Sequence, residues 1–120
     1  MLPAVLLAAV ALAGSGPPRS NQTVLSVRES QRLVDWSVAL RSCLVRRGID
    51  VGPLSVTRRQ IALTLADAGP HRRVVLAALA CGEALGGPPA SSSLQTFPGR
   101  IVLYVPKQCL IDKQVLRRGA

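Results

Sequence analysis

Three cysteines are the residues of this 120-residue chain with the most defined chemistry. Cys43 and Cys81 each fall on the apolar side of a predicted helix, and Cys109 follows a predicted strand. No two cysteines form a Cys-x-x-Cys pair, and neither predicted helix begins with a thiol. The spacing matches no zinc signature and places no thiol at a helix start, so neither a metal centre nor a redox site is predicted.

A disulfide bond is the chemistry that these cysteines fit. Two helices that pack apolar side to apolar side can bring the sulfur atoms of Cys43 and Cys81 together, provided that the compartment is oxidising. The closed loop would span 81 − 43 = 38 residues, and in the chain-entropy treatment a loop of this size stabilises the fold by roughly 3–4 kcal/mol. A Cys81–Cys109 bond is the main alternative, and the sequence leaves both pairings open.

Groups for acid–base or nucleophilic catalysis are sparse. The single histidine, His71, lies beside Arg72 and Arg73 at the start of a predicted helix, where we expect it to be exposed to solvent. No Gly-x-Ser-x-Gly elbow accompanies the serines, and no glycine-rich phosphate loop follows a strand. The acidic residues show no spacing typical of a carboxylate pair: Glu29, Asp35, Asp50, Asp67, Glu83 and Asp112. We therefore predict a protein that is not an enzyme and has no cofactor.

The formal charge is +9, and all but two of the 15 basic residues are arginines. Nucleic-acid phosphates need only cations, but single-stranded bases also need aromatic side chains on which to stack. The only aromatic residues are Trp36, Phe97 and Tyr104, and Trp36 belongs to an apolar helix stripe. The sequence therefore argues against a nucleic-acid partner. An anionic membrane surface, a cell-wall polymer or another envelope protein fits the charge better.

An apolar run from Leu2 to Ala13 opens the chain. Its length is that of a signal-peptide core, whereas a membrane-spanning helix needs about 20 residues. The triplet Ala11-Leu12-Ala13 fits the small-x-small pattern of a signal-peptidase site, which predicts cleavage after Ala13. We therefore expect residues 1–13 to be a targeting segment and the remainder to be secreted or held in the cell envelope.

Residues 14–28 form a predicted polar linker, and residues 29–120 a predicted single domain. The linker contains the sequence Asn21-Gln22-Thr23, which is a glycosylation acceptor if the host is a eukaryote. A secreted eukaryotic factor glycosylated at Asn21 is therefore an alternative to a bacterial envelope protein.

Two amphipathic helices are predicted in the domain. The first spans Glu29 to Arg47, with Gly48 as its carboxyl-terminal stop, and the second follows Pro70 and ends at residues 86–87. The apolar stripe of the first helix contains Leu33, Trp36, Leu40, Cys43 and Leu44, and that of the second contains Val74, Ala77, Cys81, Ala84 and Leu85. We interpret both stripes as core packing.

The rest of the domain combines strands and loops. Alternating residues favour a strand in the stretch from Asp50 to Asp67, although Thr57 could instead cap a helix. Residues 88–98 form a predicted Pro/Ser-rich loop, and Arg100 to Val105 a strand that ends at Pro106. No internal repeat is found in the sequence. These patterns predict a small α+β domain with two main helices and one or two short strands, held by a disulfide.

One resemblance follows from these residues. The tripeptide Leu12-Ala13-Gly14, the cysteine-bearing segment 39–51 and the later Ala80-Cys81-Gly82 resemble small secreted proteins and lipoproteins of actinobacteria. In such lipoproteins a lipidated cysteine follows Leu-Ala-Gly, whereas this chain has Ser15 at that position. The resemblance implies an extracytoplasmic location without a lipid anchor. Together with the sparse catalytic groups, it leads us to expect a protein that acts by binding.

Overall fold

The computed structural model describes residues 22–67, 69–89 and 92–119. It has two long helices packed on one face of a four-stranded antiparallel sheet, which confirms the predicted α+β class. The sheet is larger than the one or two strands expected from the sequence. In chain order the elements are β1 (Thr23–Val24), α1 (Val27–Arg46), β2 (Asp50–Val56), β3 (Gln60–Asp67), α2 (His71–Ala84), β4 (Ser93–Phe97), β5 (Arg100–Tyr104), β6 (Cys109–Leu110) and α3 (Lys113–Gly119).

Helix α1 is the predicted first helix, and it begins two residues earlier than expected. The hydroxyl of Ser26 accepts a hydrogen bond from the Glu29 amide at 3.0 Å, and the Glu29 carboxylate accepts one from the Ser26 amide at 3.2 Å. This reciprocal capping satisfies amides that would otherwise lack partners at the helix start. The predicted stripe faces the core: Leu33, Leu40 and Leu44 are buried, while Trp36 and Cys43 are half-buried.

The main sheet has the strand order β2-β3-β5-β4, so the second strand of each hairpin lies in the centre. Alternate side chains on β3 and β5 point towards the helices and are fully buried, among them Leu63 and Ile101. The order helix, hairpin, helix, hairpin means that one α-β-β unit occurs twice. The sequence contains no corresponding repeat.

Both helices end in the same hydrogen-bond pattern. At the end of α1 the Gly48 amide donates to the Val45 carbonyl, and the Ile49 amide donates to the Leu44 carbonyl. At the end of α2 the Gly86 amide donates to the Glu83 carbonyl, and the Gly87 amide donates to the Gly82 carbonyl. This is the Schellman motif, whose left-handed residue is supplied by Gly48 and Gly86 with φ of 87° and 81°. The two α-β-β units therefore leave their helices by equivalent turns.

A disulfide bond joins the two units. It links Cys43 and Cys81, with an S–S distance of 2.01 Å and a Cα–Cα distance of 5.9 Å, and Cys109 is free. The preferred pairing is thus confirmed, and the alternative Cys81–Cys109 bond is not formed. Each bonded cysteine lies three residues before the last residue of its helix, since 46 − 43 and 84 − 81 are both 3.

The stretch from Asp50 to Asp67 is a β-hairpin, which confirms the preferred strand prediction. Thr57 caps the hairpin turn and no helix begins there. Its hydroxyl accepts hydrogen bonds from the amides of Arg59 and Gln60 at 3.3 and 3.2 Å and donates to the Gln60 carbonyl. The side chain thus satisfies amides of the turn, as serine and threonine commonly do at turns.

Three features of the fold differ from the sequence-based expectations. Residues 93–97 form strand β4, whereas the sequence predicted a loop from 88 to 98. Ala84 is exposed at the end of α2, so it does not belong to the buried stripe. Strand β1 lies within the predicted linker 14–28, so the folded domain includes residues before Glu29. The proposed cleavage site at Ala13 and the acceptor Asn21 lie outside the described residues.

The carboxyl-terminal segment packs against β1 and α1 at the start of the described chain. Strand β6 pairs in parallel with β1, with Thr23 opposite Cys109. The buried hydroxyl of Ser30 on α1 then accepts a hydrogen bond from the Asp112 amide at 2.9 Å, just before α3 begins. The two ends of the described chain are therefore held against each other and against α1.

We expect the Cys43–Cys81 bond to be the main covalent contribution to stability. Replacing both cysteines with alanine should lower the free energy of unfolding by roughly 3–4 kcal/mol, because the unfolded chain regains the entropy that the loop had lost. Urea denaturation monitored by circular dichroism measures this change. The matched control is Cys109→Ala, which removes a free thiol. The expectation would be contradicted if Cys109→Ala lowered the free energy of unfolding as much as the double variant does.

Candidate functional site

Several arginine side chains bind main-chain carbonyl groups of the described fold. Arg41 on α1 donates from Nε to the Gly52 carbonyl and from Nη2 to the Val51 carbonyl, both at 2.8 Å. Both carbonyls belong to β2, an edge strand of the sheet. A planar guanidinium presents its donors in a rigid fork and can serve two acceptors at once. Arg41 thereby fastens α1 to this edge of the sheet.

The arginine pair in the β2–β3 turn holds the carboxyl-terminal segment. Arg58 Nε donates to the Ile111 carbonyl at 3.2 Å, and Arg59 Nη1 donates to the Lys107 carbonyl at 2.8 Å. The main chain contributes as well, since the Ile111 amide donates to the Arg58 carbonyl at 2.7 Å. This pair of cations therefore has a structural role.

Arg73 joins the start of α2 to the end of α1. Its Nη2 lies 3.3 Å from the carbonyl oxygens of both Arg47 and Gly48. These carbonyls mark the negative end of the α1 dipole, where a cation is favourable. A Cβ on Gly48 would lie 2.8 Å from Arg73 Nη2, so this contact needs glycine there, as does the positive φ.

A groove of about 450 Å³ lies between the end of α1 and the start of α2. Arg47 and Arg72 are exposed, and their side chains donate no hydrogen bond within the part of the chain that the structure describes. Leu76, which is 56% exposed, adds an apolar patch. We call this site the basic groove. Among the residues that the structure describes, its lining holds three arginines and no acidic residue: Arg47, Pro70, Arg72, Arg73, Leu76 and Ala77.

The start of α2 adds positive charge to the basic groove. The first turn of α2 contains Arg72 and Arg73 and no acidic residue, and the N-cap Pro70 offers no side-chain hydrogen bond. The first amides of a helix have no acceptor within it, and a cation near them costs about 0.3–1 kcal/mol at the surface. An anion bound beside Arg47 and Arg72 would pair with their guanidinium groups and lie near the positive end of the α2 dipole.

The other predicted residues are placed as follows. His71 is exposed at the start of α2, as expected, and adjoins the groove in sequence. Within the described residues, no group of three His, Cys, Asp or Glu side chains could hold a metal ion. Trp36 packs against both buried clusters of the core, which confirms its interpretation as a core residue.

The two remaining aromatic residues lie on the sheet face that the helices leave uncovered. The guanidinium carbon of Arg100 lies over the Phe97 ring, 5.1 Å from its centroid, so that face of the ring is already occupied. Tyr104 is four residues further along β5 than Arg100, which is about 13 Å on an extended strand. The two rings are therefore too far apart to form a joint stacking platform for bases.

No helix among residues 22–67, 69–89 and 92–119 is both long enough and apolar enough to span a membrane. Comparison with known proteins found no matching family, no similar curated protein and no similar solved structure.

The carbonyl contacts of Arg41 lead to a stability prediction. Arg41→Lys should lower the free energy of unfolding by about 1–3 kcal/mol, because an ammonium group cannot reproduce the fork to two carbonyls and hydrogen bonds to charged groups contribute about this much. Arg46→Lys is the matched control on the same helix, at an exposed position, and should change the value by less than about 0.5 kcal/mol. Equal urea midpoints for the two variants would refute a structural role for Arg41.

Proposed function

We propose that this protein is a secreted or envelope protein that acts by binding an anionic polymer through the basic groove, without catalysis. The observation that carries the proposal is the exposed pair Arg47 and Arg72 in a groove at the start of α2, where neither side chain has a partner and no acidic side chain lines the groove among the described residues.

The location rests on two features. The Cys43–Cys81 bond fits an oxidising compartment outside the cytoplasm, because cytosolic thiols are kept reduced. The apolar run from Leu2 to Ala13, followed by small residues, is typical of an export signal. Both features support an extracytoplasmic protein, and the net charge of +9 supports an anionic partner in that location.

The chemistry of the groove favours sulfate, phosphate or carboxylate groups. A guanidinium can donate two parallel hydrogen bonds to such a group, and Arg47 and Arg72 supply two guanidinium groups on one surface. The exposed Leu76 would contact the apolar parts of a ligand next to these charges. A polymer with repeated anionic groups could engage both arginines together, which strengthens binding beyond that of one contact.

The test is binding to heparin, a sulfated polymer, measured by titration at low and at high salt. The protein should bind at low salt and lose affinity steadily as salt rises, because bound cations release counterions from the polymer and salt screens the attraction. Arg47→Gln combined with Arg72→Gln should weaken binding about tenfold or more, since it removes charge-assisted hydrogen bonds.

The control is the double variant Arg28→Gln with Arg32→Gln. It removes the same charge from exposed positions on α1 that share their surface depression with Asp35. Its affinity for heparin should fall much less than that of the groove variant. An equal loss of heparin affinity in the two double variants would show that the whole surface attracts the polymer. Heparin binding that does not change with salt would exclude an ionic site. Either result overturns the proposal.

A further inference from the structure

The two edges of the main sheet differ in how well they are protected. Edge strand β2 contains Pro53, which has no amide to donate, and its pairing with β3 shifts register twice between Asp50 and Leu54. Arg41 also occupies the carbonyls of Val51 and Gly52. Proline, register breaks and charged side chains are the means by which proteins prevent a sheet edge from pairing with another strand.

The opposite edge, β4, has none of these protections. Its five residues carry no charge and no proline, and all five pair with β5 in one uninterrupted register from Ser93 opposite Tyr104 to Phe97 opposite Arg100. Only one side of β4 is paired within the described sheet. The other side therefore presents main-chain amides and carbonyls in a regular extended strand, which is a template for another strand.

A groove beside β4 would take the side chains of an added strand. It has a volume of about 420 Å³ and lies between β4 and α2. Its floor includes the small residues Ala78 and Gly82 together with Leu94, and Leu79 stands at its side, 64% exposed. Leu79 is the most exposed of the large apolar side chains in the described chain. This groove therefore combines an open strand edge with uncovered apolar surface.

The charge of this edge also matters, because two copies of a protein with a net charge of +9 generally repel each other. The residues that line the β4–α2 groove include one carboxylate, Glu83, and no cation. A contact between two copies through this groove therefore brings together none of the arginines of the basic groove, and the cation beside β4, Arg100, lies over the Phe97 ring on the other face of the sheet.

We propose that β4 pairs with β4 of a second copy of this chain, giving a two-fold dimer with a continuous eight-stranded sheet. Antiparallel self-pairing centred on Gln95 places each residue opposite one on the same face, because side chains alternate along a strand. On the helix side of the sheet, Leu94 of each copy then lies opposite Thr96 of the other, beside the uncovered apolar surface of the β4–α2 groove. The dimer covers Leu79 and provides hydrogen-bond partners for the open β4 edge of each copy.

This proposal is independent of the anion site. The basic groove contains Arg72 and Leu76 near the start of α2, whereas the β4 edge lies beside Leu79 and Glu83 near its end. Dimer formation depends on main-chain hydrogen bonds and apolar contact, and salt screens the repulsion between two positively charged copies. Rising salt should therefore leave the dimer intact or strengthen it, whereas it should weaken heparin binding.

The experiment measures the mass of the purified, disulfide-bonded protein by light scattering over a wide range of concentration. We expect the mass of two copies, falling to that of one copy on dilution. Gln95→Lys should raise the dissociation constant about fivefold or more, because directly opposite like charges are destabilising and the two-fold axis places the new side chains opposite each other. Gln95→Glu should do the same, and an equimolar mixture of the two variants should restore dimers.

Two further variants separate this surface from others. Leu79→Lys should weaken the dimer about tenfold or more, because it replaces apolar surface that the second copy covers. Leu76→Lys makes the same change at a similarly exposed position one turn away on α2, outside the β4–α2 groove, and should leave the dimer intact. Ser55→Lys, on the exposed face of β2, is the corresponding control for Gln95.

Three results would overturn the proposal. The first is the mass of a single copy at every concentration. The second is a dimer that tolerates Gln95→Lys and Leu79→Lys, since its contact would then lie elsewhere. The third is a mixture of the Gln95→Lys and Gln95→Glu variants that stays dissociated. Retention of the native circular dichroism spectrum in each variant shows that a loss of dimer is not a loss of fold.

Discussion

The contact between the ends of the two long helices is the constraint on which the rest of this structure depends. The Cys43–Cys81 bond fixes it covalently, and the Arg73 guanidinium adds hydrogen bonds to the carbonyls of Arg47 and Gly48. Neither α-β-β unit has a large aromatic core of its own, because the chain has only three aromatic residues. Linking the units compensates for this, and the same link brings the arginines of the basic groove together.

The arginine content of the chain has two physical uses in the described residues. Four arginines donate to main-chain carbonyls and so join elements that are distant in sequence, as Arg58 does with Ile111. Others, such as Arg47 and Arg72, keep their guanidinium groups exposed. A count of positive charges cannot separate these groups. Only the fold shows which arginines lie next to a main-chain carbonyl and donate to it. The arginines without such a carbonyl are the ones available to bind a ligand.

Local pattern predicted the helices and the disulfide, since both depend on side-chain spacing within α1 and α2. The Ser26–Glu29 capping box was also present in the sequence, and it would have placed the start of α1 correctly. Strand β4 was missed because the prolines and serines around it are typical of a loop, although its Thr96 and Phe97 favour a strand. Its pairing with β5 is what makes it a strand. The groove that brings Arg47 to Arg72 depends on long-range packing, which no local pattern reveals.

The order of the cysteines along the chain has a kinetic consequence for oxidation. A chain exported amino end first delivers Cys43 and Cys81 to the oxidising side before Cys109, which follows 109 − 81 = 28 residues later. In such a chain the two thiols that pair in the native fold emerge before the third. If the protein is exported as we propose, this order favours native pairing in a chain with an odd number of cysteines.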